Sequence, residues 1–127
     1  MNSDKLTFDQ IVDGKCSFLP SVPAPYSIKR PAERIVCVDG ESLSVQVGSN
    51  LYCAPKNNEG PYTEVEVGFP SVSPPDTWAR YFEGDWETDD HTGSVYAYVP
   101  VALVREFIEA HSGEVYTVTD LDALRRE

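Results

Sequence analysis

Basic side chains are scarce in this sequence, 10 lysines and arginines against 21 aspartates and glutamates, so their positions carry information. Lys29, Arg30, Arg34 and Lys56 stand in proline-framed or loop stretches, where side chains can converge on a ligand. With Tyr26, Tyr52 and Tyr62 they supply what a nucleotide needs: guanidinium forks and ammonium groups take phosphate oxygens, and tyrosine faces stack bases. The same arginines have a plainer use as partners for Glu33 or for the acidic stretch 83–90.

That stretch places Asp85, Glu87, Asp89 and Asp90 at the alternating spacing of a calcium loop. The sixth position from Asp85 is Asp90 where such a loop needs glycine, and the twelfth is Tyr96 where it needs a bidentate glutamate. It reads as a solvated acidic loop, and no metal site is expected. His91 and His111 offer bases, yet no serine or cysteine stands in a nucleophile setting such as Gly-x-Ser-x-Gly. Neither common phosphate-cradling glycine loop is present. No catalytic residue and no cofactor are therefore expected. His111 falls on the last turn of a helix, where a cation suits the dipole and the free carbonyls. Trp78, Tyr81, Phe82 and Trp86 make an aromatic cluster of the kind that fills cores and interfaces.

The elements that must position these residues belong to a chain of 127 residues, 41% hydrophobic and 11% aromatic, which suits one domain with an ordered core. We expect a single domain over 1–127, with an N-terminal segment 1–19, a core 20–113 and a tail 114–127. Cys16, Cys37 and Cys53 are odd in number and widely spaced, so reduced, buried thiols are expected rather than a disulfide frame or a zinc site. A net charge of −11 disfavours wrapping duplex nucleic acid. It leaves room for a small anion, because a pocket responds to local charge and salt screens the remainder beyond ~10 Å. No apolar run reaches membrane-spanning length and no secretory leader is read at the start, so a cytosolic protein is expected.

Leu6, Phe8, Ile11 and Val12, closed by Gly14, suit a brief helix or an edge strand. Residues 20–31, with four prolines, read as an extended arm. Residues 34–38 and 43–47 flanking Asp39-Gly40 predict a hairpin. Residues 51–53 predict a short strand. In 62–69 alternation puts Thr63, Val65, Val67 and Phe69 on one buried face of a strand. Asp76 is placed to cap a short helix reaching Gly84, and 94–99 predict a strand. Pro100 suits the first turn of a helix in which Val101, Val104, Phe107, Ile108 and His111 recur at helical spacing up to Gly113. Residues 119–127 can add a further turn or two. The sum is an α+β fold, mainly an antiparallel sheet with one amphipathic helix packed on one face and short additional helices.

Four stretches, Pro25-Tyr-Ser-Ile-Lys-Arg-Pro31, Tyr52-Cys-Ala-Pro-Lys56, residues 60–71 and Val95-Tyr-Ala-Tyr-Val-Pro-Val101, resemble small phage-encoded proteins. Over residues 20–113 the order of these stretches is similar to the Thoeris anti-defence sponge family, which sequesters a cyclic ADP-ribose isomer without cleaving it. The resemblance implies a homo-oligomer in the host cytoplasm with pockets at subunit boundaries. It implies Arg30 and Lys56 for the phosphates, Phe82 or Tyr81 for stacking, and Arg105 from the final helix. Lys56 departs from the arginine expected there, which weakens bidentate phosphate recognition. The other reading is an acidic protein-directed inhibitor, of the DNA-mimicking anti-CRISPR kind, favoured by the net charge and residues 83–90. A phage structural or assembly accessory protein is the third.

Overall fold

The computed structural model of the protein describes residues 6–19 and 28–115. Tyr26, most of the proline arm and the helical turns expected over 119–127 lie outside the described residues.

Asp39-Gly40 forms the expected turn. Gly40 takes φ +94°, and Asp39 accepts the Glu41 N–H at 2.9 Å. This closes β1 (Ile35–Cys37) onto β2 (Ser42–Gln46) with Ile35 opposite Leu43. β3 (Glu64–Gly68) and β4 (Val95–Pro100) follow, then α2 (Val101–Ala110) and β5 (Glu114–Val115). The strand order is β4-β3-β2-β1-β5 and every pairing is antiparallel. The edge strands β4 and β5 consequently run the same way, and α2 carries the chain from one edge to the other.

Strand alternation sorts the two faces. Cross-strand pairing aligns Val45, Val67 and Tyr96, and likewise Val65 with Val99, on one side of the sheet, all fully buried. Ile35, Cys37 and Leu43 continue that face. Val104, Phe107 and Ile108 of α2 cover it as the helical spacing predicts, and Trp78 meets Tyr96 edge-on at 5.7 Å and Phe107 at 5.9 Å. α1 (Phe8–Val12) completes the core with Phe8, Ile11 and Val12. Its capping box, Thr7 with Gln10, settles the open choice at the N-terminal segment in favour of a helix.

Several expectations need correction. Residues 51–53 are not a strand: the Leu51 N–H bonds back to Gly48 and the Cys53 N–H to Leu51, so these donors are spent in local turns. The bridge nearest this stretch comes one residue later, from Ala54 to Glu64. On β3 the buried face holds Val65 and Val67 but not Thr63 or Phe69. Phe69 leaves the strand at φ +48° and is 51% exposed. Asp76 opens a 3₁₀ helix (Asp76–Tyr81) but does not cap it; Pro75 does, and it has no side-chain acceptor to offer. Pro100 ends β4 and caps α2 instead of opening its first turn.

Candidate functional site

On β4, Ala97 and Tyr98 together face the single residue Glu66 of β3, a bulge that interrupts the alternation. Tyr98 takes φ +56° there and turns outward, while Tyr96 two residues earlier stays buried. The segment that bears Tyr52 is tied to this spot from two sides: the Tyr98 N–H donates to the Tyr52 carbonyl at 3.0 Å, and Glu66 Oε2 accepts the Tyr52 N–H at 3.1 Å. The two rings stand 5.8 Å apart, 43% and 38% exposed for Tyr52 and Tyr98. The Lys56 ammonium lies 5.5 Å from the Tyr52 ring centre, 5.8 Å from that of Tyr98, and 3.4 Å from the Tyr98 hydroxyl. One cation thus faces two solvent-exposed aromatic rings. Strand alternation does not point to Tyr98, because a Tyr-x-Tyr pair in a strand predicts one face for both residues.

The other expected ligand-binding residues lie in different surroundings. Arg30 is half-buried; its N–H donates to the Ser17 carbonyl at 2.7 Å, and it lines a cavity of about 190 Å³ with Gln46, Val47 and Leu51. Arg105 makes an ion pair of 2.6 Å with Asp9 and covers the Phe8 ring at 5.1 Å. Tyr81 is half-buried under the Arg80 guanidinium at 5.6 Å. Phe82 is 7% exposed, its ring enclosed by Trp86, His91 and Tyr96.

The acidic loop turns its carboxylates onto itself. Asp85 accepts the Glu87 N–H, Asp89 accepts the Asp85 N–H, and Asp90 accepts both the N–H and the hydroxyl of Thr92. The Thr92 hydroxyl, with its N–H, holds the Asp90 carboxyl below the usual range. Among the described residues no group of three or more histidine, cysteine or carboxylate side chains is gathered as a metal would require. Cys16, Cys37 and Cys53 are buried and form no disulfide with one another, and burial pushes the Cys37 thiol up to about 11.

Both histidines are held by partners. His111, at the end of α2, places Nδ1 2.6 Å from Asp39 Oδ2 and packs on Phe107. Asp39 is lowered chiefly by the Glu41 N–H and next by His111. His91 lies flat on Trp86 at 3.4 Å, with Nε2 2.6 Å from the Trp86 carbonyl and Nδ1 2.5 Å from Ser73 Oγ. Ser73 lines a cavity of about 530 Å³ between residues 72–78 and α2, walled by Trp78 and Phe107 with Glu106 and His111 also lining it. Sequence spacing gave no sign of the Ser73–His91 contact, because a loop and the 3₁₀ helix separate the two residues. No family model, curated protein or solved structure matches the chain.

Proposed function

We propose that the protein acts by binding, and that its ligand is a small nucleotide held and withheld from another receptor, uncleaved. The observation that supports this reading is the Lys56 ammonium set against the exposed Tyr52 and Tyr98 rings. A ligand that is both aromatic and anionic uses all three groups at once, stacking on a tyrosine while its phosphate meets the lysine. A cyclic nucleotide immune signal taken up in a host cytoplasm is the specific form, and a second copy of the chain would bring further basic groups to the patch.

The test is a thermal-shift series with cyclic ADP-ribose isomers and cyclic di- and trinucleotides on the parent chain and on Lys56→Ala and Tyr98→Ala. A ligand at a hundred times its Kd adds about 2.7 kcal/mol of stability. The expected result is a shift with one nucleotide class, diminished in both variants, and intact ligand recovered after denaturation. Degraded ligand, or no shift with any nucleotide, overturns the reading. Exposure of Glu83, Asp85, Glu87, Asp89 and Asp90 along one loop favours the second reading, an acidic inhibitor steered onto a basic protein. That alternative predicts salt-sensitive capture of a nuclease complex and no response to nucleotides.

A further inference from the structure

Ser73 and His91 meet in a way that binding at Lys56 does not use. Trp86 fixes the imidazole twice, by stacking at 3.4 Å with 8° between the planes and by its carbonyl 2.6 Å from Nε2. A carbonyl only accepts, so Nε2 carries a proton, and in the neutral ring Nδ1 is then the acceptor that faces Ser73, closer than the Pro74 carbonyl that the Ser73 hydroxyl reaches at 3.4 Å. Ser73 Oγ lies 2.5 Å from Nδ1, and the residue is exposed. A hydroxyl, a base within hydrogen-bond reach and a third group orienting that base are the parts of an activated nucleophile. The cavity of about 530 Å³ that Ser73 lines is walled by Trp78, Phe107, Val72 and Pro75, which suits an apolar group beside the hydroxyl.

We infer that Ser73 is a nucleophile activated by His91, and that the adjoining cavity takes the apolar acyl group of an ester. Ser73 Oγ bonds to the acyl carbon as its proton passes to His91 Nδ1. The bond from that carbon to the alcohol oxygen breaks, and the alcohol leaves with the proton from Nδ1. Water then attacks the acyl-serine, giving a proton to His91 that returns to Ser73 Oγ as the carboxylic acid departs. The Trp86 carbonyl steadies the imidazolium formed in each half, as a hydrogen-bond acceptor for Nε2–H. This inference goes beyond the nucleotide reading and stands or falls without it.

The test treats the full chain with a fluorophosphonate, which transfers phosphorus to an activated serine with loss of fluoride, followed by peptide mass analysis. We expect one adduct, on Ser73, absent in Ser73→Ala and formed about 100-fold or more slowly in His91→Gln. Release of nitrophenol from p-nitrophenyl hexanoate should follow the same order. Since His91 also braces Trp86, a second readout separates the two roles: imidazole added in solution should restore labelling of His91→Gly by supplying the missing base. No adduct on Ser73, equal labelling of Ser73→Ala, or no rescue of His91→Gly by imidazole overturns the inference.

Discussion

Lys29 is 6% exposed although its side chain ends in a polar amine. Its ammonium donates to the carbonyls of Gly14 and Cys16, each at 2.9 Å, and faces the Phe18 ring at 4.9 Å. A residue that composition marks as a phosphate ligand is thereby a tie between the segment after α1 and the strand-like stretch before β1. Lys29→Met keeps the stem and removes the donor to both carbonyls, one of them in a buried setting. We expect a loss of about 1–3 kcal/mol in urea denaturation. Glu114 illustrates the reverse sign of effect. Burial raises its carboxyl above 4.5, although the Phe8 N–H donated to Oε2 at 2.9 Å works against this. An acid whose folded pKa is raised contributes stability below its ordinary value that is lost as pH rises through the folded one. Glu114→Gln keeps an acceptor for Phe8 and abolishes that loss, so its stability advantage over the parent should grow as pH is raised from 4.5 towards neutrality. Asp39, lowered by the Glu41 N–H and then by His111, works oppositely, adding stability above 3.8 that is lost as pH falls through its folded value. Denaturation midpoints across pH 3–7 separate the two.

Among the elements, the legible ones are those whose signal is local. The β1–β2 hairpin follows from Asp39-Gly40, and α2 from an apolar stripe at helical spacing ended by Gly113, which takes φ +93°. β5 went unread because two residues carry no period; it exists only through pairing with Val36 and Cys37. The Tyr52–Lys56–Tyr98 group was half legible. Loop residues Tyr52 and Lys56 were candidates by type, whereas Tyr98 faces them through a bulge that alternation cannot foresee. Phe82 shows the converse, a plausible stacking ring by type that the fold uses to fill space. At Gly14, which closes α1 at φ +77°, an added Cβ would stand 2.2 Å from the Glu59 carbonyl oxygen. Gly14→Ala should cost about 1–3 kcal/mol from backbone conformation alone, with the clash in addition, and a lowered melting temperature is the check.

Across the whole molecule, the α2 crossover makes the last strand the cover for the first. A chain stopped at Ser112 keeps the β1–β2 hairpin and lacks β5, so the outer side of β1 presents unpaired backbone groups. We expect that shortened chain to associate further than the parent, and to do so more readily at high salt, which screens the repulsion of the net charge of −9 that remains without residues 113–127. Light scattering of both chains at low and high salt is the measurement, and equal scattering would remove β5 from that role.

The same crossover sets a timetable for a chain being made. β2 ends at Gln46 and β5 at Val115, 69 residues later, which is roughly 3–14 s at the ~5–20 residues per second of synthesis. For that interval β1 and β2 are made and β5 is not, so any hairpin the nascent chain forms has one side of β1 open. Polysomes hold neighbouring chains of the same sequence close together, and because residues 1–46 carry a net charge of only −1, repulsion between such open edges builds up only as residues 59–90, with nine of the acidic side chains, are added.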